Sequence, residues 1–216
     1  MRGLLFKDFR LIMGRRQAFL FYIAISCILG FSMPDFLPAF LTMIAITLAT
    51  STISYDEFDN GYSFLMTLPM TRAMFAVEKY LFALICSVIG WGISLVIVMI
   101  GNVLRSLPIL TVEALSAATV VLPVMLLFLL IILPVHLKFG AERSRTVLLC
   151  LYGVTVLLIL FGKKLLTVLG ISGEQAVSFA ASIPVPVVVM GLALLFCLAA
   201  VVSVFASIRI MEKKTF

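Results

Sequence analysis

Ser172 lies in the run Gly170-Ile171-Ser172-Gly173, a setting that can hold a nucleophilic hydroxyl, and His136 is the single histidine available as its base. Acyl transfer by such a pair needs the two side chains within hydrogen-bond reach. Gly162-Lys163 is the one Gly-Lys pair, but the further upstream glycine that a phosphate-binding loop requires is missing. Asp56 to Gly61 has some of the acids of a calcium loop, yet Phe58 occupies a ligand position. Cys27, Cys86, Cys150 and Cys197 stand far apart with no Cys-x-x-Cys pair, so neither a disulfide nor a metal site is expected. No catalytic residue emerges from this survey. ATP hydrolysis, if the protein depends on it, must come from another chain.

The elements that position these residues follow from composition. Of 216 residues, 63% are hydrophobic and 12% charged, with a net charge of +6, and the mean hydropathy is +1.26. A soluble domain is about half apolar and a quarter charged, so this is the composition of an integral membrane protein. Charge-free windows run over Gln17–Pro34, Phe36–Tyr55, Tyr80–Leu104, Ala114–Leu137, Thr146–Gly162 and Gln175–Ile208. A helix crosses the hydrocarbon core with roughly 20 residues, so the first five windows each hold one span. The last is 34 residues long and contains Pro184 and Pro186, which divide it into a surface or re-entrant segment and a span over 183–208. The expected fold is all-α, with six transmembrane helices over 17–34, 36–55, 80–104, 114–137, 146–162 and 183–208.

Lysine and arginine set the orientation. Thirteen of the sixteen fall before the first span, after the second, after the fourth and after the sixth. Only Arg105, Lys163 and Lys164 fall on the other side. Both termini are therefore expected in the cytoplasm, and the positive charge reads as topology and contact with anionic lipid, without nucleic acid. This arrangement puts Ser172 outside and His136 at the cytoplasmic end of span 4, roughly 30 Å apart, too far for a Ser–His pair. No span core holds an ionisable residue, which removes an obvious carrier for proton- or ion-coupled transport. Thr47, Ser51 and Ser54 share a face of span 2 and can line a path; in bilayer helices such hydroxyls more often bond their own backbone. Cys86, Gly90 and Ser94 form a small-residue stripe on span 3, suited to close helix contact.

Two segments outside the spans carry pattern. Residues 1–16 are amphipathic, with Leu5, Phe9 and Ile12 on one stripe and Lys7, Arg10 and Arg15 elsewhere. The 55–79 loop opens with Asp56, Glu57 and Asp59; Phe58, Tyr62 and Leu65 then recur at helical spacing until Pro69. Thr71 caps a second helix that runs through Arg72 and Glu78 into span 3. An apolar stripe on a short cytoplasmic helix predicts a groove that buries it, on a protein partner or on the chain's own spans.

The start Leu4-Leu5 with Lys7-Asp8, the six spans, and the loop Asp59-Asn60-Gly61-Tyr62, Leu65, Leu68-Pro69, Arg72 and Lys79-Tyr80 together resemble the permease subunit of a type-2 ATP-binding cassette exporter. Within that family the chain is similar to permeases that export phenol-soluble modulins and other antimicrobial or amphipathic peptides. The resemblance implies an elbow helix over 1–16, a coupling helix over Asp59–Met66 and an extracellular re-entrant element over 162–186. It implies ATPase coupling through Asp56, Phe58, Asp59, Asn60, Gly61, Tyr62, Leu65 and Arg72. The path between two permeases would be lined by spans 2 and 5, with Tyr152 and Thr155 on the latter. It implies no cofactor in this chain, ATP and Mg on a nucleotide-binding partner subunit, a second permease copy, and residence in a bacterial plasma membrane. The alternative expectation is a membrane immunity or scaffold protein that transports nothing.

Overall fold

The computed structural model describes the backbone of residues 2–14, 16–57, 61, 67, 71–106, 108, 112–168 and 185–213, and the side chains of most of these outside 16–20, 112–114, 151–168 and 185–192. Everything regular among them is helical. In chain order the helices are α1 (Arg2–Met13), α2 (Arg16–Ser32), α3 (Leu37–Glu57), α4 (Arg72–Leu104), α5 (Val112–Val168) and α6 (Val185–Lys213). Among the described residues four stretches are long and apolar enough to cross a membrane: Leu37–Glu57, Arg72–Leu104, Ala118–Gly140 and Ala193–Lys213. The expected span 17–34 falls on α2, which is 17 residues long. The expected span 146–162 falls on the second part of α5, where most side chains lie outside the described residues.

α3 is the central helix and packs along α4 and α5, while α6 lies against α4 and α5. The core joins Ile46, Ala49 and Ile53 of α3 with Phe75, Tyr80 and Phe82 of α4, Leu129, Leu133 and Leu137 of α5, and Met211 of α6. Close approach of α3 and α4 depends on Gly90, where an added Cβ would stand 2.8 Å from the Ala45 Cβ and 3.0 Å from the Leu41 carbonyl oxygen. The small-residue stripe therefore does form a helix contact. Trp91 donates its indole N–H to the Ala118 carbonyl at 2.8 Å, joining α4 to α5.

α4 begins at Arg72, as the Thr71 cap led one to expect: the Thr71 hydroxyl accepts from the Met74 N–H at 3.2 Å. Two other features depart from the sequence expectation. The basic segment 138–145 is helical on either side of Gly140 (φ 73°, ψ −176°), where α5 breaks without a loop. On α1, Leu4, Leu5 and Ile12 pack on the core, whereas Phe6, Phe9 and Met13 are exposed. The helix has two apolar faces in place of the single stripe expected, and Asp8 lies on the inner one.

Gly140 also faces Glu57, whose Oε1 would lie 2.3 Å from an added Cβ. Gly140→Ala should lower stability by at least ~1–3 kcal/mol, the cost of a glycine-only backbone conformation before the clash is counted. Gly92→Ala, which meets nothing within 4 Å, should be neutral or raise stability by up to ~1 kcal/mol. Thermal unfolding in detergent, followed by the fluorescence of the single tryptophan, measures both.

Candidate functional site

Ionic side chains leave water only when paired, and here a set of them does so where α1, α3 and α4 meet. Asp8, Asp56 and Lys79 are 0%, 6% and 2% exposed. Lys79, two turns into α4, binds Asp8 Oδ2 and reaches Asp56 Oδ2 at 2.7 Å. Lys7 binds Asp56 Oδ1 and stands 3.2 Å from Asp8 Oδ1. The Thr52 hydroxyl, one turn before Asp56, accepts from Lys79 at 3.2 Å and lies 3.2 Å from Asp8 Oδ2. Each cation thus touches both carboxylates, and the ring closes across three helices. Burial works against the Lys7 ammonium, but Asp56 and Asp8 outweigh it and hold its pKa above the usual lysine range. Its charge, and the stability that charge contributes, therefore persist through neutral pH and fade only in strong alkali. Glu78 is also buried, 1% exposed, with neither carboxylate oxygen hydrogen-bonded. The two cations are balanced by Asp8 and Asp56, which leaves the Glu78 carboxyl without a countercharge of its own.

Around this ring the ends of the 58–70 segment are tied to the remaining helices. Asp56 and Glu57 close α3 and diverge: Asp56 turns to α1 and α4, Glu57 to the break in α5 at Gly140. On the far side of the segment Arg72 opens α4 and donates to the Met211 and Glu212 carbonyls at 3.3 and 2.7 Å. A guanidinium there satisfies orphan carbonyls near the C-terminus of α6 and complements its dipole. One layer deeper, the Tyr80 hydroxyl meets Ser203 and Ser207 at 2.6 and 2.8 Å, and Ser203 donates to the Leu130 carbonyl at 2.5 Å.

The residues singled out by sequence separate into groups. Asp56 is turned inward and engaged with lysines instead of facing a partner. Arg72 grips α6. Gly61 lies against the Asp56 carbonyl, which an added Cβ would approach to 2.7 Å. Phe58, Asp59, Asn60, Tyr62 and Leu65 lie outside the described residues, as does Ser172. The side chains of Tyr152 and Thr155 do so too. Thr47 and Ser51 bond the carbonyls of Met43 and Leu48 at 2.9 and 2.7 Å, each about one turn earlier in α3; Ser54 is partly buried on the same helix. His136 meets Ser144 across the Gly140 break at 3.3 Å.

Lys7, Asp8, Thr52, Glu78 and Lys79 were missed as a group. The lysines had been counted for topology, and Asp8 is the lone acid among five basic residues in 1–16. That isolation was the available signal.

The family model described as ABC-2 family transporter protein matches residues 3–212. Neither the curated proteins nor the solved structures contain a match.

Removing one member of the ring leaves its partners buried and uncompensated. Lys79→Met should destabilise the protein by about 3–5 kcal/mol. Glu78→Gln keeps the shape and removes a carboxyl that has no countercharge, and should leave the unfolding midpoint unchanged or raise it. The same tryptophan-detected melting distinguishes the two; a Glu78→Gln protein as unstable as Lys79→Met would contradict the charge balance.

Proposed function

The chain belongs to the ABC-2 family of transporter proteins, and from that premise we propose that it is the membrane-spanning subunit of an ATP-driven exporter, worked by a separate ATPase through the 58–70 segment. The family implies a membrane subunit without catalytic activity of its own, one that normally works with an ATP-binding subunit. One observation carries the proposal further: the two helices that flank the 58–70 segment are joined in the same charged ring, α3 through Asp56 and α4 through Lys79. A push delivered between them cannot move α3 without α4, or either without α1. In this proposal closure of the ATPase around ATP and Mg rocks the helices as a body and alternates access to the path.

Apolar or amphipathic cargo, peptides above all, moving outward is the reading best supported by the helices. The hydroxyls of Thr42, Thr47, Thr50 and Ser51 are turned to their own backbone, which supports a path of low polarity along this part of α3. Two permeases facing one another, six spans in each, both termini in the cytoplasm and residence in a bacterial plasma membrane complete the proposal; the distribution of lysine and arginine supports the orientation.

Tyr62→Asp and Leu65→Asp place charge on the apolar face of the segment and should abolish transport and cargo-stimulated ATP hydrolysis while insertion and abundance stay normal. The measurement is ATPase activity of the complex pulled down with the tagged chain, beside transport in vesicles. Normal transport by a well-expressed Leu65→Asp protein would overturn the docking role of 58–70.

A further inference from the structure

The outer face of α1 borders a half-open groove of about 330 Å³. Its walls come from four helices: Phe9 and Met13 of α1, Tyr22 of α2, Leu41 and Leu48 of α3, and α4 from Cys86 to Ile97. The lining is almost wholly apolar, and Ser26, its one serine, turns its hydroxyl back on the Tyr22 carbonyl at 2.6 Å. Phe9 and Met13 also line a second cavity of about 390 Å³, which holds Arg10. An almost wholly apolar slot therefore adjoins, across Phe9 and Met13 of α1, a second hollow bordered by Arg10.

Length and lining limit the occupant. From Cys86 to Ile97 the helix rises ~16 Å, the length of one acyl chain in a ~30 Å bilayer core. An almost wholly apolar wall of that length suits hydrocarbon. Charge sets the other end of the ligand. Arg10 is exposed and contacts the Phe6 ring at 5.7 Å. Asp8, the acid nearest in sequence, is held in the buried ring.

We propose that this groove binds one acyl chain of an anionic phospholipid from the leaflet on the α1 side, with the lipid phosphate at Arg10. The lipid then wedges α1 against α3 and α4 from outside, as the ionic ring holds it from within. This site is independent of the ATPase and of the cargo, so its test stands apart from that of the transport proposal.

The full chain, purified in mild detergent, is mixed with phosphatidylglycerol or phosphatidylcholine of matched acyl chains and weighed by native mass spectrometry. One phosphatidylglycerol per chain is expected to survive activation, favoured about fivefold over phosphatidylcholine, the weight of one basic residue against an anionic surface. Arg10→Ala should erase that preference and Arg10→Lys retain most of it. Ile93→Trp, at a 45% exposed position on the groove wall, should fill the slot and remove retention of both lipids without shifting the unfolding midpoint. Equal retention of the two lipids by the unaltered chain would overturn the headgroup assignment. Undiminished retention by Ile93→Trp, or disulfide cross-linking of two chains through Ile93→Cys, would overturn the groove as a lipid site.

Discussion

Two lysines and two aspartates, withdrawn from water where α1, α3 and α4 meet, are the constraint on which the rest of the molecule depends. In so apolar a chain an ionised group is tolerated at depth only with its partner in place. Asp8 brings α1 to the spans, Asp56 fixes the end of α3, and Lys79 fixes the register of α4, since a shift of one residue would carry its ammonium off both carboxylates. The Gly90–Ala45 approach and the Tyr80–Ser203 contacts lie further along the same helices and are aligned by that register.

The ring ties an amphipathic helix outside the candidate spans to the helices that form them. α1 is held on its inner face by ion pairs and by Leu4, Leu5 and Ile12, while Phe9 and Met13 of its outer face border both the apolar groove and the hollow beside Arg10. Glu57 at the α5 break and Arg72 on the end of α6 extend the same grip to the remaining helices. A short segment between α3 and α4 is thereby bounded on both sides by bonds reaching α1, α4, α5 and α6, the arrangement a mechanical input requires.

Much of the fold was legible because hydropathy is a local signal. The charge-free windows located α3 and the first part of α5 to within a few residues, and Thr71 announced the start of α4. Gly140 was less legible, since the basic residues around it read as a loop whereas a glycine-only φ/ψ pair lets α5 bend without one. The charged ring was not legible at all as a unit. Its bonds join residues 49 and 71 positions apart, beyond any periodicity, and lysines near the ends of spans report orientation whether or not they are paired. The family resemblance implied an ATPase-coupling role for Asp56 and Arg72; their bonds within the chain tie the flanks of the 58–70 segment to α1, α4 and α6.

The central claim is that Asp8 and Lys79 act as one unit in stability and in coupling. The most direct measurement is a double-mutant cycle with Asp8→Asn, Lys79→Met and the pair, read by the unfolding midpoint and by cargo-stimulated ATP hydrolysis of the complex. The account predicts a non-additive result, the double variant costing clearly less than the sum of the two single ones, with a coupling of about 1–3 kcal/mol. Effects that add to within ~0.5 kcal/mol would mean the two residues act independently and would contradict it.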